Sequence, residues 1–184
     1  MNLVENSDSR WRIEEFAEMA PALIQNHPEI QAKLIQMGYF EAPASTKYHG
    51  AYAGGLYDHS KEVYLALANL TGELGSPWER PESPFIIGMF HDLCKVDLYG
   101  RSINSSQEPV WVHKPTLLTG HGEKSIMLLS TLMQLTEEEM MCIRFHMGAF
   151  ITEDMKAYGD VVERFPNVLY THTADMIASK IKGI

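Results

Sequence analysis

Apolar residues recur at helical spacing along nearly the whole chain, and the alternation that marks strands is almost absent. That pattern confines the chain to helices packed on helices, because an amphipathic helix must bury its apolar stripe against another element. The periodicity predicts helices over residues 10–20 and 21–37, with Gly38 stopping the second. A loop, EAPASTKYHGAYAGG, leads to a helix over 56–70 whose apolar stripe of Leu56, Val63, Leu67 and Leu70 also contains His59. Residues 71–84 read as a loop and 85–96 as a compact apolar helix. The stretch 99–120 carries Pro109, Pro115 and several Ser, Asn and Gly. It reads as a long loop, suited to a lid, with PVWV its only strand signal. Further helices are expected over 122–134, over 137–147 behind a capping box of Thr136 and Glu139, and over 167–182. Residues 148–166 read as irregular or weakly helical. The expected fold class is all-α: a single-domain helical bundle, with residues 1–38 a helical extension packed on a core domain of 39–184.

A chain of 184 residues suits one domain and can bury a core without covalent staples. Its longest apolar run, FIIGMF, falls far short of the roughly 20 residues of a membrane span. MNLVENSDSR has neither the basic start nor the apolar stretch of a secretory signal, so a cytoplasmic location without a membrane partner is expected. Cys94 and Cys142 match no zinc-ribbon or CxxC spacing and read as free, buried thiols of a reducing compartment. The net charge of −9 repels a long phosphate backbone, which favours a small anionic partner over a nucleic acid polymer. Such a ligand needs local metal charge and a few Lys or Arg to offset the global field. Nothing in the sequence fixes an oligomeric state.

The chemistry-bearing residues are histidines and aspartates: His59 at the end of GGLYDH, His91 and Asp92 in FHDLCK, His121 opening HGEKS, His146 in IRFHMG, and Asp175 in THTADMIAS. Inward side chains from several helices of a bundle can converge on one metal cluster. Imidazole suits Zn, Fe, Ni and Co, and carboxylate adds a hard oxygen suited to Mn and Mg. Singly, each residue has a plainer reading, since a lone histidine in an apolar stripe is more often a hydrogen-bonded core residue than a ligand. Asp175 is harder to set aside. It shares a helix face with Val168 and His172, and a buried carboxylate without a cation, helix end or donor is costly.

In order and context, H…HD…H…H…D resembles the HD-domain metal-dependent phosphohydrolases. STKYHGAYAGGLYDHS, FHDLCK, GHGEKS, IRFHMGAF and HTADMIAS look like blocks of a compact bacterial HD-hydrolase subgroup, covering about residues 39–180. The subgroup is also similar to the catalytic domain of HD-type 3′–5′ exoribonucleases. The resemblance implies an HD-type bundle with a metal site in its core. It implies that His59, His91, Asp92 and Asp175 are the primary metal ligands. It implies further that His121 and His146 hold a second ion, with Asp92 bridging. One or two divalent transition metals per chain are therefore expected: Mn, Fe, Co, Ni or Zn, with Mg an alternative. Met147 stands where some binuclear members carry a further His or Asp, so the second site is expected to be the weaker, or to be completed by water and substrate.

The implied activity is hydrolysis of a phosphate ester of a nucleotide or similar small substrate by a metal-activated water. Asp92 is expected at the centre of that chemistry. Lys95, one turn after His91, is a candidate for a phosphate oxygen, against a solvated helix-end lysine. Glu123 could orient the water or protonate the leaving group, or simply favour a helix start. His49, in the Gly-rich loop, is assigned to the substrate pocket or to general acid work. Lys124 and Arg144 are weaker phosphate candidates for which solvated positions are the competing reading. His113 is read as a loop residue, His27 as surface, His172 as a support one turn before Asp175, and the 11 methionines as core filling. Three other functions compete: a 3′–5′ exoribonuclease, a di-iron oxygenase, and a catalytically inactive nucleotide sensor.

Overall fold

The computed structural model describes residues 7–148 and 155–184. Its described residues are predominantly helical, and they divide into two compact units. The first comprises the chain up to Asp58 together with Lys95–Leu117; the second comprises His59–Cys94 and Leu118–Ile184.

In the first unit, α1 (Ser7–Met19), α2 (Pro21–Asn26) and α3 (Ile30–Met37) follow in quick succession. The single helix expected over 21–37 is two, and Pro28 is the reason. His27, the residue before that proline, leaves the helical region at φ −133° and ψ 71°, which ends α2. Gly38 does stop α3. It adopts the left-handed conformation at φ 78°, and Tyr39 N–H reaches back to Leu34 C=O at 3.0 Å. Phe16, Tyr39, Phe40 and Tyr57 form an aromatic core of buried rings, edge-to-face except for the tilted Phe40–Tyr57 pair. The Tyr57 hydroxyl donates to Glu15 at 2.9 Å. Arg12 grips Asp58 through Nε and Nη2, both at 2.8 Å, and Tyr52 donates to the same carboxylate at 3.0 Å. Asp58 lies in the first turn of α4 (Gly55–Leu74), where its charge also favours the helix dipole.

The stretch expected as a loop over 99–120 contains an antiparallel hairpin, β1 (Tyr99–Ile103) with β2 (Pro109–His113), so the fold is not purely α. Asn104 builds its turn by accepting from Ser106 N–H and Glu108 N–H, each at 2.9 Å, and Gln107 takes a positive φ of 63°. Pro109 occupies the first position of its strand, where no ladder donor is lost. Trp111 pairs with Arg101, whose guanidinium lies 5.1 Å from the ring centroid, and Tyr99 packs edge-on against His113.

In the second unit, α4 continues from His59, and α5 (Ser83–Phe90) crosses it so closely that a Cβ on Gly88 would stand 2.3 Å from Tyr64 Cα. The helix expected over 85–96 breaks after Phe90, and a 3-10 turn, Leu93–Val96, follows. α6 (His121–Ser130) and α7 (Glu137–Phe145) meet just as tightly: a Cβ on Gly122 would lie 2.6 Å from Arg144 Cα. The Thr136–Glu139 capping box forms as expected. Residues 155–164, within a stretch expected to be irregular or weakly helical, form α8 (Met155–Arg164); 149–154 lie outside the described residues. α9 (Asn167–Met176) passes into a π-helical segment, Ile177–Lys182, a variant frequent at functional sites. Cys94 and Cys142 are free and buried, and burial pushes the Cys142 thiol up. Among the described residues no helix is long and apolar enough to cross a membrane.

Candidate metal centre

All six residues expected to ligate metal lie in the second unit. His59 comes from α4, His91 and Asp92 from the end of α5, and His121 from the start of α6. His146 follows α7, and Asp175 lies in the last turn of α9. His59, His91 and His146 are fully buried, and Asp92 and Asp175 nearly so. His121 alone keeps a solvent-facing side, with 34% of its side chain exposed.

Helix ends set the orientation of two of these rings. His91 and His146 are the C-caps of α5 and α7, where terminal carbonyls lack helical partners. Each ring turns back on its own helix: Nδ1 of His91 donates to Gly88 C=O at 2.9 Å, and Nδ1 of His146 to Ile143 C=O at 2.7 Å. The His91 ring thus bonds the Gly88 carbonyl at the point where α5 ends. His59 Nδ1 donates to Ile184 C=O at 2.8 Å. A carbonyl only accepts, so the Nδ1 proton is assigned in all three rings and the Nε2 atoms are left to face one another across the core.

They meet carboxylates there. Asp92 divides its two oxygens. Oδ2 lies 3.5 Å from His91 Nε2 and 3.7 Å from His59 Nε2, and Oδ1 lies 2.6 Å from His121 Nε2 and 3.5 Å from His146 Nε2. Asp175 Oδ1 stands 3.2 Å from His59 Nε2. Nε2 of His91 and of His146 is buried and makes no hydrogen bond among the described residues. A neutral imidazole lone pair aimed at a carboxylate oxygen is an acceptor facing an acceptor, costly in a low-dielectric interior unless a cation lies between them. The donor set fits a metal ion. His59, His91 and Asp175 form one group that could hold one, His91, Asp92 and His146 a second, and Asp92, Cys94 and His121 a third, each with donor atoms within 4.8 Å of one another.

The electrostatics differ from group to group. Burial depresses the His91 pKa more than the neighbouring carboxylates raise it. Burial alone would raise Asp175, but the His59 contact and the nearby rings of His91 and His146 hold its carboxyl well below the usual range. Burial lowers His121, and the Asp92 charge and hydrogen bond override it, taking the ring up to about 10.

The other expected site residues fall differently. Lys124, for which a solvated position competed, is buried on α6 one turn after His121. Lys95 is also buried rather than solvated, and it belongs with His49 to the first unit. His49 is half-buried, and its carbonyl accepts from Ser45. Glu123 and Arg144 bind each other at 3.1 Å, and the Arg144 guanidinium stacks on Phe145. His113 is exposed on the hairpin, and His27 is half-buried rather than fully at the surface. His172, expected as a support beside Asp175, gives Nδ1–H to His146 C=O at 2.8 Å. Cys94 and Ile184, on the other hand, carry no site role in the sequence reading, because a buried thiol and a backbone carbonyl leave no distinctive pattern. Compared with known proteins, the chain matches no family model, no curated protein and no solved structure.

Proposed function

We propose that this chain is a metal-dependent phosphohydrolase of the HD type, cleaving a phosphate ester of a nucleotide or similar small substrate. The supporting observation is the division of Asp92, which offers Oδ2 to His59 and His91 and Oδ1 to His121 and His146. A carboxylate shared in this way suits two adjacent cations, the arrangement that serves in-line displacement at phosphorus. His59, His91, Asp92 and Asp175 would hold the first ion, and His121 and His146 the second, with Asp92 common to both. Such ions supply water of lowered pKa and neutralise charge developing on the phosphoryl oxygens.

The chain's own residues prepare the site for that chemistry. Backbone carbonyls fix three histidine tautomers before any ligand arrives, so little reorganisation is required on binding. Burial of the five inner residues excludes bulk water and strengthens every charge interaction among them. His121, the partly exposed member, marks the side open to substrate. Lys124, buried on α6 one turn after His121, is the proposed phosphate-binding cation. Glu123, clamped by Arg144, is assigned to positioning.

The test is a panel of nucleoside mono-, di- and triphosphates, cyclic dinucleotides and short RNA, each with Mn, Fe, Co, Ni or Mg. Small nucleotides should be hydrolysed faster than RNA, because a net charge of −9 opposes a long polyanion. Processive RNA degradation with every small nucleotide left intact would assign the chain to the exoribonucleases. Tight nucleotide binding without turnover under any metal would make it a sensor.

A further inference from the structure

His121 differs from the other site histidines in what holds it. His59, His91 and His146 each give Nδ1–H to a backbone carbonyl, whereas Nδ1 of His121 faces the Cys94 thiol, with Sγ at 3.5 Å. A second tie joins the same two residues. Cys94 N–H donates to Ser125 Oγ at 3.0 Å, and that hydroxyl donates to His121 C=O at 3.2 Å. Cys94 thus grips the first turn of α6 through both its side chain and its backbone. It does so two residues beyond Asp92, on a stretch that is almost wholly buried.

We propose that Cys94 is the positioning residue for His121: its sulfur accepts a hydrogen bond from Nδ1–H, which holds the ring's orientation and keeps Nε2 directed at the Asp92 oxygen 2.6 Å away. The thiol takes the place that carbonyls take at the other three rings. Sulfur approaches Nδ1, the ring nitrogen that does not face Asp92. Asp92, Cys94 and His121 also form a group that could hold a metal, so direct ligation by the thiol is the alternative that the test separates. Occupancy of the outer metal position then depends on Cys94, and that of the inner position does not. The inference rests on the two-ion reading above.

Manganese stoichiometry and affinity should be measured by equilibrium dialysis and calorimetry for the wild type, Cys94→Ala and Cys94→Ser, with melting of the metal-free proteins as a check on folding. Cys94→Ala should bind the second ion about 10–100-fold more weakly while the first is unchanged. Cys94→Ser keeps an acceptor at this position and should recover most of that loss. The cobalt(II)-loaded wild type should lack an intense near-ultraviolet thiolate-to-cobalt band. Equal second-ion affinity in Cys94→Ala and wild type overturns the assignment. A thiolate-to-cobalt band that disappears in Cys94→Ser overturns it in favour of direct ligation. A wild type that takes up fewer than two ions overturns the two-ion reading itself, a failure visible before any variant is compared.

Discussion

The carbonyl of Ile184 accepts from Nδ1 of His59 at 2.8 Å, so a backbone atom beyond the π-helical segment orients a ring on α4. Gly183, left-handed at φ 75°, turns the chain, Ile184 N–H returns to Ala178 C=O at 3.1 Å, and Lys182 pairs with Glu62 one turn along α4 from His59. Deleting Gly183 and Ile184 removes the partner of His59. Affinity for the first ion should fall by about 10–100-fold, the usual effect of losing a group that orients a ligand. Calorimetric titration with manganese measures this, and an unchanged affinity would show that the contact does not orient the ring.

Glu139 is fully buried and serves three elements. Oε1 accepts from Arg80 at 2.7 Å and Ser83 at 2.8 Å, and Oε2 accepts from Arg80 at 2.6 Å and Thr136 N–H at 3.0 Å. Removing the carboxylate leaves several donors unsatisfied in and around the core. Glu139→Ala should cost about 3–5 kcal/mol in urea or guanidinium unfolding, as breaking a buried pair does. A loss below about 1 kcal/mol, the range of exposed pairs, would contradict this assignment.

Two glycine-to-alanine variants should move in opposite directions. At Gly122 the new methyl would meet Arg144 backbone at 2.6 Å, forcing α6 from α7. The expected cost is about 1–3 kcal/mol, with weaker second-ion binding because His121 precedes that glycine. At Gly72, within α4, nothing lies within 4 Å of the added carbon, and the variant should gain about 0.5–1 kcal/mol. Paired chemical unfolding curves decide this, and equal shifts would refute the packing account.

The sequence made the helices legible where amphipathic periodicity was uninterrupted, as at α4, and where capping chemistry was local, as at Thr136–Glu139 and Gly38. Of the hairpin only PVWV, within β2, was legible; β1 is five residues bordered by turn formers and reads as loop. The sequence also concealed the break after Phe90, where the His91 ring bonds the Gly88 carbonyl, a contact with no periodic trace. All six candidate ligands stood out by residue type, the resemblance to HD phosphohydrolases implied their grouping, and each falls in one of the groups that could hold a metal. Their supports are mostly carbonyls, at Gly88, Ile143, His146 and Ile184, which every residue possesses and no sequence pattern announces.

The central claim is that Asp92 is shared between two cation positions, one oxygen to each histidine pair. The most direct measurement is metal content per chain for the wild type and Asp92→Asn after loading with manganese and extensive dialysis. The account predicts two ions bound by the wild type on loading, the second lost more readily on dialysis, and loss of both in Asp92→Asn with the fold intact by circular dichroism. Wild-type-like metal retention by Asp92→Asn, or no metal in the wild type, would contradict it.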